Sequence, residues 1–122
     1  MAAFSRDALA LFEREREVDI ETRSAKGAKH SVVIWVVVDG HDVFVRSYRG
    51  ATGRWYRELR ERSGAIVARG KRFPVRALAA DDPASISRAS DALRRKYARS
   101  PSLAAMLRRS VLATTLRLEP AH

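Results

Sequence analysis

Val32-Val33-Ile34-Trp35-Val36-Val37-Val38, followed by Asp39-Gly40 and then Val43-Phe44-Val45-Arg46-Ser47-Tyr48, is the stretch that decides the fold class. The first run is apolar and almost wholly β-branched, which suits a pleated surface better than a helix. It is also too short for an isolated buried helix, so it reads as a central strand covered on both faces. Asp39-Gly40 predicts a two-residue hairpin turn, and Val43–Tyr48 predicts the returning strand. In that register position 38 faces 41, and His30 comes to face Arg49.

Outward from this hairpin the period stays near two. Val18, Ile20 and Thr22 alternate with Asp19, Glu21 and Arg23, which predicts a first strand with one dry and one wet face. Ala25 to Lys29, with Gly27 inside, predicts the turn that joins it to the central run. Ala65–Arg69, Arg72–Ala79 and Val111–Leu118 predict three further strands, the last ended by Pro120. Helical spacing appears in four places. Ser5 predicts a cap for a helix reaching about Arg16, with Leu9, Leu11 and Phe12 inward. Arg54–Arg62 predicts a helix with Trp55 and Leu59 inward and charge pairs such as Glu58 with Arg62 outward. Asp82 with Pro83 predicts the start of a third, whose buried stripe is Ile86, Ala89, Leu93 and Tyr97. Ser100-Pro101 restarts a short helix through Arg109. Six strands interrupted by peripheral helices, in a chain of 122 residues, predict one α+β domain over 1–122: a mostly antiparallel six-stranded barrel.

Composition narrows the chemistry. There is no cysteine, which removes disulfides, thiolate catalysis and cysteine metal sites, and fits a cytoplasmic protein. No window is apolar enough to cross a membrane, and no secretory signal is recognisable. The histidines are His30, His41 and His122; the hairpin separates the first two, so a metal site and a Ser-His-Asp triad are not expected. The net charge is +10. Such a surface attracts phosphate on nucleic acid or on a cofactor, and equally serves solubility alone.

The open end of the predicted hairpin gathers His30, Arg49, Gly50 and Arg54, with Lys26 and Lys29 on the preceding turn and Trp55-Tyr56 following. Cations, a glycine and two aromatic rings are what a phosphate carried on a planar ring needs. The alternative is that Trp55 belongs to the core and the arginines to solvent. Arg46 has two readings as well. On the strand it shares a face with Phe44 and Tyr48, so it either pairs with Glu21 or points into a ligand cleft.

The order Thr22-Arg23-Ser24, a Gly turn, His30-Ser31, Ile34–Gly40, Val45-Arg46-Ser47-Tyr48-Arg49-Gly50 and Gly53-Arg54-Trp55-Tyr56 resembles a small family of uncharacterised bacterial proteins. More distantly, over about residues 22–80, it is similar to the deazaflavin-dependent nitroreductases and quinone reductases. These belong with the pyridoxamine-phosphate-oxidase-like, FMN-binding split barrels. The resemblance implies a split barrel, a homodimer with a cofactor cleft between subunits, and FMN or a deazaflavin as cofactor. Residue by residue, Arg23-Ser24-Ala25-Lys26-Gly27 stands where the reductases carry a phosphate-holding turn. Only Gly27 keeps its place there, and Lys26 is the nearest cation. His30 stands where an arginine is usual. Ser47-Tyr48-Arg49-Gly50 matches a small-Ser-Lys-Gly segment, with Arg49 as the cation, and Trp55-Tyr56 matches an aromatic pair. The expected function is flavin or deazaflavin binding, with oxidoreductase activity of the nitroreductase-like kind among its outcomes. Two alternatives remain: a cofactor-free barrel acting as a ligand sensor, and nucleic-acid binding through Arg94, Arg95, Lys96, Arg99, Arg108 and Arg109. No catalytic acid or base is assigned.

Overall fold

The computed structural model describes residues 3–121 and holds seven strands, not six. The apolar run of the hairpin does not stay in one strand. It divides into β2 (Lys29–Ile34) and β3 (Val37–Asp39), and Trp35-Val36 turns between them. The others are β1 (Val18–Arg23), β4 (Asp42–Val45), β5 (Gly64–Ala68), β6 (Lys71–Ala79) and β7 (Leu116–Pro120). They make one antiparallel sheet in the order β2-β1-β5-β6-β7-β4-β3.

That order overturns the central-strand reading. β2 and β3 are the two edges of the sheet, and Val32 and Val33 are exposed. In a flat sheet of this width the edges would stand about 29 Å apart, at about 4.8 Å per strand. Three residues from Ile34 to Val37 reach at most about 11 Å. The sheet therefore curls until its edges nearly meet, giving a half-barrel split at Trp35-Val36. A run of β-branched residues cannot reveal this bend, because every residue in it favours extended backbone. The bend is fixed from outside the run. Trp35 stacks on Tyr97 with ring centroids 3.8 Å apart, and the Val36 carbonyl accepts from Lys96 Nζ at 2.7 Å.

The hairpin register moves by two residues. Val38 pairs with Val43 and Asp39 with Asp42, so the loop is Gly40-His41, with Gly40 at φ 63° in the first central position. The two facing carboxylates are held by Arg88, 2.6 Å from Asp39 and 2.9 Å from Asp42. Here the ion pair outweighs the turn preference of Asp-Gly.

Five helices flank the sheet: α1 (Arg6–Arg14), α2 (Arg54–Glu61), α3 (Pro83–Lys96), α4 (Leu103–Leu107) and α5 (Arg109–Leu112). Ser5 accepts from the Ala8 N–H and Asp82 from the Ser85 N–H, so both caps form as their sequences predict. The last strand starts later than expected, because residues 109–112 are helical. Two apolar clusters result. Inside the barrel, Phe12 of α1 sits edge-on to Phe4 and Phe73, above Ile20, Val43, Ile66 and Leu116. Outside it, α3 and α4 cover Val37 and Phe44 with Ala89, Leu93, Tyr97 and Met106. Between β4 and α2 the chain leaves the sheet at Arg46 and passes a 3-10 turn at Gly50–Thr52. That irregular segment forms one wall of the site. Among the described residues no helix is long and apolar enough to cross a membrane.

Candidate functional site

A cavity of about 700 Å³ opens between β2, the 45–53 segment, the start of α2 and the loop before α4. Of the residues singled out by sequence, His30, Arg46, Tyr48, Arg49, Arg54 and Trp55 line it. They meet by a route other than the predicted one. His30 faces Thr22 of β1 rather than Arg49, and Arg49 arrives from the loop after β4.

The remaining five candidates do not line the cavity. Lys26 and Gly27 sit on the exposed β1–β2 turn, whose backbone is bonded within itself: the Gly27 N–H donates to the Ser24 carbonyl, and the Lys26 and Ala28 N–H groups to Ser24 Oγ. Ser47 is fully buried, donates through its hydroxyl to the Gly50 carbonyl at 2.7 Å and through its N–H to Thr114 Oγ1 at 3.0 Å, so it ties the loop to the turn that follows α5. Gly50 (φ 74°) supplies the turn that this bond closes. Tyr56 is buried on the core side of α2 beneath Arg60. Only one of the aromatic pair, Trp55, reaches the cavity. Trp35, Gly53, Thr52 and Met106 line it without having been singled out.

Arg46 does not form the ion pair with Glu21; it lines the cavity, but from a buried position. It lies 2% exposed and away from Glu21, which binds Lys29 and Arg72 instead. The strand ends at Val45, so alternation no longer sets the direction of Arg46. Its guanidinium donates to Thr115 Oγ1 (2.8 Å), the Met106 carbonyl (3.0 Å), the Ile86 carbonyl (2.9 Å) and Ser90 Oγ (2.8 Å). All four acceptors are neutral. Burial, with Arg94 nearby, pulls its pKa down to about 10. A buried cation in the cavity wall, bonded only to neutral oxygens, leaves a positive potential facing the cavity.

Glu58 is the residue that sequence reading misplaced. It does not pair outward with Arg62, which binds Glu61. It is buried, accepts from Thr22 Oγ1 at 2.8 Å and lies 3.0 Å from His30 Nδ1. Burial alone would raise its carboxyl, but the bonds from His30 and Thr22, helped by Arg54, outweigh it and hold the group below the usual carboxylate range. The i, i+3 spacing of Trp55 and Glu58 puts both near one face of α2, which was the available signal. The nearby arginines at 57, 60 and 62 obscured it.

Among the described residues no cluster of histidines and acids could hold a metal, and His122 lies outside them. The basic α3–α5 stretch is not one free face. Arg94 pairs with Asp91, Arg95 with Asp39, Lys96 turns inward and Arg108 lies over Tyr48.

A family profile described as "Uncharacterized protein conserved in bacteria (DUF2255)" matches residues 8–118. The chain belongs to this family. No curated protein matches it in sequence. Solved structures are similar in fold at low identity. A candidate pyridoxamine 5'-phosphate oxidase from Listeria innocua has a TM-score of 0.68 at 13% identity, over 95% of this chain and 92% of that one. HutZ, a heme storage protein from Vibrio cholerae, has 0.65 at 15%, over 96% and 90%. An F420 reductase has 0.59 at 15%, over 93% and 92%. These likenesses show a shared fold: the seven-stranded half-barrel is a split barrel like those of these structures.

Proposed function

We propose that this chain, as a single domain, is a cofactor-binding split barrel that takes a flavin or deazaflavin in the cavity beside β2. The observation that carries the reading is the cavity's chemistry: about 700 Å³ with the indoles of Trp35 and Trp55 in its lining and the cations Arg46, Arg49 and Arg54 against one acid, Glu17. The size lies within the range of cofactor sites, and an anion-bearing planar ring matches both features. Arg49 and Arg54 are exposed and have no ion-pair partner among the described residues, so they are free to take phosphate. Trp55 offers ring surface. The β1–β2 turn is outside this assignment, because Lys26 and Gly27 do not reach the cavity. When bound, such a cofactor would supply oxidoreductase chemistry. The relatives of this fold, named for pyridoxamine phosphate oxidation and F420 reduction, support that class.

The reading includes a homodimer. Val32, Val33 and Tyr48, the exposed large apolar residues, all line the cavity, and β2 is an open edge strand. A second copy laid there would cover them and narrow the cavity mouth.

The test is purification from the native host, an absorbance spectrum, and mass spectrometry of the released small molecule. A flavin or deazaflavin in stoichiometric amount is the expected result. Colourless protein with no thermal shift from FMN or F420 would overturn the reading. Arg49→Ala is expected to weaken cofactor binding by about 1.5–3 kcal/mol, the range for hydrogen bonds to charged groups, with little change in melting temperature. Loss of stability without loss of affinity would make Arg49 structural instead.

A further inference from the structure

Glu58 and His30 form a unit that the assignment of phosphate to Arg49 and Arg54 and of ring to Trp55 does not use. Glu58 does not line the cavity; His30 does, and stands between the two. Glu58 is held ionised, so its Oε1 can only accept. Thr22 Oγ1 already donates to that oxygen, and the 3.0 Å contact from His30 Nδ1 therefore carries an Nδ1–H. In the neutral ring this fixes the tautomer and leaves the lone pair on Nε2. Among the described residues Nε2 has no partner within the chain, and no polar side-chain atom is both buried and unpaired. Nε2 is thus open to solvent or ligand.

We propose that His30 is the proton-transfer residue of the cavity, with Nε2 the accepting atom and Glu58 the positioning residue behind it. The ligand class is an N–H or O–H acid with an anionic conjugate base. The ligand's N–H or O–H bond breaks and its proton goes to Nε2. The electron pair stays on the ligand. The imidazolium keeps Nδ1–H on Glu58, and the reverse step returns the proton. Both products are matched: Glu58 balances the imidazolium, while Arg46, Arg49 and Arg54 favour the ligand anion. The groups facing His30 are Thr22 on β1, Glu58 and Arg54 on α2, and Glu17 and Arg49 across the cavity. Lys29, Glu21 and Arg23 lie on the other face of the β1–β2 pair. The proposal rests on the cofactor reading only for which ligand enters.

The lone pair that takes a proton also attacks diethyl pyrocarbonate, so acylation of His30, resolved from His41 by mass spectrometry, reads it without any cofactor. The wild-type imidazole should show the Nδ1–H pattern in its ¹⁵N shifts. Glu58→Gln, whose amide N–H can donate to Nδ1 and invert the tautomer, should slow acylation of His30 by about tenfold or more while His41 is unchanged. An Nε2–H pattern in the wild type, which needs no variant to be read, or an unchanged acylation rate in Glu58→Gln, overturns the proposal. FMN and F420 are added as protecting ligands. Protection by either supports both readings. Failure of both to protect counts against the cofactor, while a Glu58-dependent rate still supports the proton-transfer role. 4-Nitrophenol gives a direct check: its phenolate band, raised by the wild-type protein at acidic pH, should vanish in His30→Gln, and its persistence there would assign the proton to another group.

Discussion

Arg46→Met keeps the approximate length of the side chain and removes its charge and every donor. The wild-type guanidinium makes four hydrogen bonds, reaching α3 through the Ile86 carbonyl and Ser90, α4 through the Met106 carbonyl, and the approach to β7 through Thr115. Hydrogen bonds from a charged donor are each worth about 1.5–3 kcal/mol, so the gross loss is about 6–12 kcal/mol. Relief of the buried charge returns several kcal/mol of that. The serine and threonine hydroxyls can turn to new partners, whereas the two carbonyls cannot. A net loss of about 3–5 kcal/mol follows, which for a chain of this size lowers Tm by about 12–20 °C. Urea denaturation followed by circular dichroism gives the free energy. Arg46→Lys should fall between, since an ammonium keeps the charge but cannot span acceptors on three elements. Glu21→Gln is the control, and should cost under about 1 kcal/mol, since its partners Lys29 and Arg72 are exposed. A loss below about 1 kcal/mol for Arg46→Met, accompanied by loss of ligand affinity, would refute the clamp and return Arg46 to the ligand.

Gly64→Ala should destabilise more than Gly53→Ala, both measured by thermal melts. A Cβ at 64 would clash with the Glu21 carbonyl, which is backbone, whereas at 53 it would meet the Ser47 hydroxyl at 2.6 Å, which can rotate at the cost of its own bond to Gly50. Burial lowers the Lys96 pKa to about 8 against 10.5, so the unfolded chain binds more protons between those values. The Lys96 contribution to stability therefore rises with pH across that window, and Lys96→Met should flatten it in melts taken from pH 7 to 10. Val33→Lys, at the exposed edge strand, should convert a dimer to a monomer in light scattering at unchanged fold; a dimer that persists places the interface elsewhere.

The local signals were legible in the sequence because local chemistry made them. Ser5 and Asp82 cap helices by bonds to their own first turns, and Val18-Ile20-Thr22 shows its buried face by alternation. What could not be read was decided by partners far along the chain. Trp35-Val36 bends because Lys96 and Tyr97, about sixty positions on, bond and stack there. The hairpin takes Gly40-His41 because Arg88 bridges the two carboxylates. Glu58 looked like one more charge on an arginine-rich helix, and only the fold brings Thr22 and His30 to it. The cavity residues came together despite a wrong register, because the chain must return past β2 after the β3–β4 hairpin whichever two residues form its turn.

The same geometry gives the net charge of +10 an explanation that composition could not. Many of the cations are structural. Arg46 holds three elements to the barrel wall, and Lys96 donates to the Phe12 and Val36 carbonyls where α1 meets the split. Arg72, Arg76, Arg88, Arg94, Arg95 and Arg117 each sit on a carboxylate. A duplex-binding face needs a run of cations free to meet phosphates, and the α3–α5 stretch has given several of its members to such tasks. Arg49 and Arg54 are different. They stand at the mouth of a cavity that also contains Arg46, with Glu17 the one acid in its lining. Positive potential in a concave, partly apolar site acts over a short distance and is screened less than the same charge on an open surface. The excess charge therefore favours a small anion held in the cavity over a polyanion lying across the outside, which is the physical ground for preferring the cofactor reading.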